Sequence, residues 1–243
     1  MHMIERTPPA HTLGPLAALQ VRFSGAFRRL RRDTRAVAMI EAAFTVPTLL
    51  FTGFAGLEIS NLMITHTRVS GIALSVADNA SRIASGSNLA VPQVREVDVN
   101  DVFTGAQLQS GALDIATNGR VIVSSLETNA TGGQWIHWQR CFGAKQYSST
   151  YGEQGTGAVG NSFAGMGPAG REVQAASGAP VMFVEVYYDY IPFMFGSFIG
   201  TKRIRYTAAF GVRDARDTSQ IFNPAPAATA RTCTAGLPSG DDD

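Results

Sequence analysis

Apolar and small residues run almost unbroken from Ala36 to Leu57, interrupted only by Glu41 and a few threonines. Wound as a helix, the stretch would reach about 33 Å, enough for the roughly 30 Å hydrocarbon core of a bilayer. From Ile59 the pattern changes. Ile59, Leu62, Met63, Val69, Ile72, Ala73, Val76, Ala80 and Ile83 recur at threes and fours, with Asn61, Thr65, Arg68, Ser75, Asp78 and Arg82 opposite them. That spacing predicts an amphipathic continuation of the same helix, ending near the turn formers Ser85-Gly86-Ser87-Asn88. Pro47 has no N–H to continue the backbone ladder, so a bend or loosening is expected over 43–47. Gly53 and Gly56 are either weak points or positions where another helix packs closely.

Beyond the helix the period drops to two. The segments 119–126 and 134–141 flank Asn129-Ala-Thr-Gly-Gly133, a hairpin signal. Over 181–190, Met182, Val184, Val186 and Tyr188 face one side and Phe183, Glu185, Tyr187 and Asp189 the other, with Pro192 as the stop. A fourth strand is expected over 202–212, where Ile204, Tyr206, Ala208 and Phe210 alternate with Arg203, Arg205 and Thr207. Two antiparallel pairs packed on the amphipathic half of the helix give an α+β fold: a long N-terminal helix, transmembrane then amphipathic, against a small antiparallel sheet. The stretch 89–118 fits neither period cleanly. By parity Trp135 and Trp138 fall on opposite faces, one in the core and the other exposed. Ile191–Ile199, with Phe193, Met194, Phe195 and Phe198, reads first as core and second as a patch meeting a partner or the membrane.

Charge adds direction. Arg22, Arg28, Arg29, Arg31, Arg32 and Arg35 crowd the front of the apolar run against Asp33 alone, and no comparable cluster follows Leu57. This asymmetry keeps the N-terminus cytoplasmic and sends the rest across the membrane as a single span. The competing readings are a buried core helix and a cleaved signal peptide. The latter has an apolar region of only about 7–15 residues, shorter than this one. Overall net charge is +1 with 16% charged residues, so nothing global points to nucleic acid.

The segment from Arg31 to Ala84 resembles the TadE-like family, minor pilins or pseudopilins of tight-adherence pilus systems with a type IV prepilin-like N-terminus. The resemblance rests on Arg31-Arg32, Ala36 at the cut, Glu41 five residues later, Pro47, Glu58 and Ala80-Ser81-Arg82-Ile83-Ala84. Phe183 to Pro192, Thr207 to Phe210 and Val212-Arg-Asp214 are similar more loosely. Two departures stand out: Ala36 replaces the usual glycine and Ala42 the frequent phenylalanine. The resemblance implies a pilin-like fold, a prepilin peptidase cutting between Ala36 and Val37, and partners among other pilin subunits, the inner-membrane pilus platform and the lipid bilayer. It also implies that Glu41 pairs with the new terminal amine of a neighbouring subunit. The alternative for Glu41 is a carboxylate snorkelling to headgroups at a helix start. Glu58 reads as a solvated interfacial carboxylate, or as a contact with a partner helix.

The resulting organisation is a basic leader over 1–36, a membrane half-helix over 37–58, an amphipathic half over 59–85, a β-rich domain over 86–222 and a flexible tail over 223–243. A subunit of this kind would remain in the inner membrane or enter an extracellular adhesive pilus; the alternative is an unprocessed single-span scaffold or sensor. Cys141 and Cys233 are the only cysteines, and in a periplasmic domain one bridge joining tail to hairpin is the simple reading. They lack the CxxC spacing of a dithiol catalyst, and with His66 and His137 they offer too few ligands for zinc. No cofactor, metal site or catalytic constellation is expected. Gly155-Thr-Gly157-Ala-Val-Gly160 matches a dinucleotide fingerprint, but no strand leads into it. A mobile glycine-rich loop over 151–170 explains it. Asn129-Ala-Thr131 matches the glycosylation triplet, which is frequent by chance.

Overall fold

The computed structural model describes residues 34–83, 91–194, 196, 200–212 and 216–233. The basic leader up to residue 33, the expected helix stop at 85–88, the side chains of Phe195 and Phe198, and the last ten residues lie outside that set. Two compact units divide between Leu57 and Glu58.

Helix α1 spans Thr34–Ser81 with Pro47 inside it. In the first unit every described residue from Val37 to Phe54 is exposed, and the helix is long and apolar enough to cross a membrane. Two of its threonines turn their hydroxyls back on the ladder: Thr48 donates to the Phe44 carbonyl at 2.7 Å and Thr52 to the Thr48 carbonyl at 2.8 Å. Hydroxyls satisfied in this way cost little in an apolar medium.

The second unit is α+β. After α1 come β1 (Gln93–Arg95), α2 (Glu96–Ser110), a 3-10 turn, the short α3 (Ile115–Asn118), β2 (Gly119–Thr128), β3 (Gln134–Phe142), β4 (Val181–Tyr190), β5 (Lys202–Gly211) and β6 (Asp217–Phe222). Strands β3-β2-β4-β5 form one antiparallel sheet rather than two separate pairs, because β2 pairs with β4 through eight registered positions from Gly119↔Tyr188 to Leu126↔Val181. β1 and β6 make a second, parallel pair.

The inner face of the sheet carries the alternating set read from the sequence. Val121, Val123, Met182, Val184, Val186 and Ile204 pack against Val69, Ile72, Val76 and Ala80 of α1 and against Val99, Val102 and Phe103 of α2. The buried stripe of α1 differs from the expected one at its start. Glu58, Thr65, Val69, Ile72 and Val76 are buried and Leu62 is half-buried, whereas Ile59 and Met63 are exposed. The fours-and-threes spacing holds, but two of its inward positions are polar. Thr65 is satisfied by the Asn61 carbonyl at 2.9 Å, and Glu58 by groups described below.

The outer face is also covered. Leu126, Ile136 and Phe183 pack with Met166 and Ala175 of the long β3–β4 connection, so the glycine-rich loop is tied to the outer core through Met166 while much of it stays exposed. The backbone explains why it is built of glycine. The Gly155 N–H donates to the Ile136 carbonyl at 2.7 Å and the Ile136 N–H to the Thr156 carbonyl at 2.8 Å, extending the ladder beyond β3. A side chain on Gly157, whose φ is +78°, would sit 2.2 Å from the Gln134 carbonyl. A free sheet edge invites pairing with other chains, and this loop occupies the edge of β3 at Ile136.

A bulge opposite Ser125 and Leu126 overturns the parity of the tryptophans. Trp135 pairs with Glu127 and Trp138 with Ser125, residues two apart on β2, so both indoles lie on one face. Trp138 is buried in the inner core; Trp135 is half-buried and stacks on His137 with ring centroids 4.3 Å apart.

Candidate functional site

The front of α1 holds the predicted processing residues. The Ala36–Val37 bond lies in the first turn of the helix. Backbone N–H groups there have no intrahelical acceptor, so opening this turn sacrifices the least hydrogen bonding. Val37 is exposed. Glu41 is also exposed and makes no hydrogen bond or ion pair among the described residues. The surrounding Met39, Ile40, Phe44 and Val46 are likewise exposed. Among the described residues the carboxylate therefore has no partner on this apolar helix surface.

Glu58 departs from the solvated reading, being buried at 4% exposed. The Tyr190 hydroxyl donates to Oε1. The Phe193 N–H donates to Oε1 at 3.2 Å and the Met194 N–H to Oε2 at 2.9 Å. Asn61 in turn donates its amide to the Tyr190 oxygen at 3.0 Å. Burial, and then the Glu58 carboxylate beside it, push the Tyr190 phenol above its ordinary range. The result is a fixed clasp between α1 and the end of β4.

Two further buried carboxylates organise the domain. Glu96, at the start of α2, receives Arg140 of β3 through Nε at 3.0 Å to both oxygens, with Nη2 on Oε1 as well. Glu185 of β4 is fully buried on the outer face, where it accepts from the Ser149 hydroxyl, the Thr150 N–H at 3.1 Å and the Tyr187 hydroxyl at 2.9 Å. Burial pushes the Tyr187 phenol up.

Cys141 and Cys233 are joined as a disulfide with Cα atoms 4.8 Å apart. The tail leading to it is held at more points than that bridge. Asn100 donates to the Thr229 carbonyl at 2.9 Å, the Cys141 N–H to the Arg231 carbonyl at 2.8 Å, and the buried Arg120 to the Cys233 carbonyl at 2.9 Å. Beside the bridge lies a cavity of about 280 Å³ bordered by Gln139, Tyr147, Ser149, Glu153 and Gln154. Among the described residues no group of three or more His, Cys, Asp or Glu side chains could hold a metal ion. His66 meets the Tyr206 hydroxyl at 3.2 Å, while His137 lies 3.1 Å from Glu127, so the two imidazoles serve different elements.

The motifs set aside in the sequence have structural duties. The Asn129 side chain accepts from the N–H groups of Thr131 and Gly133, each at 2.9 Å, and donates to the Gly157 and Gly160 carbonyls at 2.9 and 2.7 Å. One amide thus shapes the hairpin turn and holds the glycine-rich loop over it. No protein-family model, curated protein or solved structure matches this chain.

Proposed function

We propose that this chain is a minor pilin or pseudopilin of a tight-adherence, type IV-like pilus. It is held in the inner membrane by the first part of α1, cut by a prepilin peptidase after Ala36 and placed in the assembly through Glu41. The observation that carries this reading is Glu41 itself, a carboxylate on the exposed apolar surface of α1 with no partner among the described residues. An unpaired charge in a bilayer costs on the order of 2.5–3.5 kcal/mol at mid-depth, less near the interface. Cleavage after Ala36 would free the Val37 amine, and the ammonium of a neighbouring subunit would neutralise the acid at a fixed axial offset. The α+β domain following the helix, with one sheet face packed on the helix's second half, suits a subunit whose apolar stem enters a filament. The second reading is an uncut bitopic scaffold or sensor, favoured by alanine standing where a prepilin glycine is usual.

Mass measurement of the mature chain after co-expression with its cognate peptidase separates the two. A product beginning at Val37 supports the pilin. A chain that keeps residues 1–36 under those conditions removes the processing route.

A further inference from the structure

At the end of β4 the chain exposes apolar side chains in near succession: Ile191 is 64% exposed, Phe193 80% and Met194 42%. They surround Pro192, and the backbone beneath them is unusual in where its donors go. Proline has none, and the N–H groups of Phe193 and Met194 are both taken by Glu58. A loop normally keeps its backbone in water because its donors need acceptors there. Here those donors are satisfied inside the chain while the side chains point outward. That combination removes much of the penalty for leaving water and keeps the gain from burying apolar surface.

The anchor point matters equally. Glu58 directly follows Leu57, the last residue of the apolar stretch. The loop is therefore fastened to the residue at which the stretch ends. Across the hairpin, the β4–β5 register places Lys202 opposite Tyr190, and Lys202 is exposed with no ion pair among the described residues. Exposed apolar side chains close to a lone lysine match the interface of a bilayer with anionic headgroups.

We propose that Ile191, Phe193 and Met194 insert into the outer-leaflet interface of the membrane, with Lys202 at headgroup level. These residues would thus form a second lipid contact. This inference rests on the reading of α1 as a membrane anchor. Its function would be to hold the domain on the bilayer before assembly, so that leaving the membrane requires the loop to withdraw.

The test uses the full chain in vesicles of zwitterionic lipid with a minority of anionic lipid, with Cys141 and Cys233 left paired. Single added cysteines at Phe193, Ile191, Val46 and Val159 carry an environment-sensitive fluorophore, and quenching is read with lipids brominated near the headgroup or deep in the chains. We expect the labels at 193 and 191 to lose most of their emission to shallow bromines, the label at 46 to deep ones, and the label at 159 to neither. Quenching at 46 with both loop labels open to aqueous iodide overturns the inference and leaves the anchor standing. Loop labels shielded from iodide yet untouched by brominated lipid would place them against another protein, which overturns it equally. An unquenched label at 46 would defeat the anchor reading and the inference together. Lys202→Glu should weaken shallow quenching at 193 in anionic vesicles; an unchanged signal removes the headgroup contact.

Discussion

Tyr190 closes β4 by donating its hydroxyl to Glu58, 132 residues earlier in the chain. The bond joins the sheet to α1 where the apolar stretch gives way to the packed domain. Removing the hydroxyl leaves a buried carboxylate short of one donor. Tyr190→Phe should cost about 1.5–3 kcal/mol, the usual worth of a hydrogen bond to a charged group. Thermal unfolding of the full chain in detergent would then drop by several degrees. Tyr206→Phe, which loses only a contact with half-buried His66, should cost roughly half as much or less.

Glu96 and Arg140 form a buried ion pair between α2 and β3. Glu96→Ala should destabilise the domain by about 3–5 kcal/mol, because it strands a guanidinium away from water. Replacing both partners with methionine and leucine should recover most of that loss. Denaturant unfolding of Glu96→Leu, Arg140→Met and the double variant gives the coupling directly.

The bridge between Cys141 and Cys233 closes a separation of 92 residues. In the chain-entropy picture its loss costs about 4–5 kcal/mol, often less in practice. Cys233→Ala should lower the denaturation midpoint and release the tail to proteolysis near Arg231. An oxidised and a reduced sample compared on a non-reducing gel and by urea titration would show both effects.

Burial raises the phenols of Tyr147, Tyr187, Tyr188 and Tyr190, with neighbouring carboxylates adding to the shift at each. Above the ordinary phenol value of about 10 the folded chain therefore holds protons that the unfolded chain has released. The corresponding stability is fully present below that pH and is lost as pH rises through the raised folded values. Phenolate absorbance should lag behind that of free tyrosine, then rise together with unfolding.

Much of this fold was legible in the chain. Residues 181–190 and 202–212 alternate cleanly because Met182, Val184, Val186, Ile204 and Ala208 carry the inner face of those strands. The long helix was legible from its unbroken apolar first half. Helix α2 was not, although Val99, Val102, Phe103 and Ala106 keep helical spacing, because β-branched valines and Gly105 blur the local preference. β1 and β6 are too short to show a period. The glycine-rich segment read as a free loop because its partner, the edge of β3, is remote in sequence. The burial of Glu58 is hidden for a related reason: hydropathy sorts a carboxylate outward, and its donors on Tyr190, Phe193 and Met194 lie more than 130 residues away. At the candidate site, Ala36, Val37 and Glu41 stand out from the sequence alone because each breaks or flanks the apolar run.

In the proposed assembly Glu41 is tolerated on an apolar helix because a neighbouring subunit's terminal ammonium neutralises it. The most direct measurement counts surface pili by electron microscopy in cells carrying Glu41→Ala, with the variant's membrane content measured in the same culture. Membrane content should stay normal while pili are markedly lost. Wild-type piliation at equal membrane content would contradict that role for Glu41.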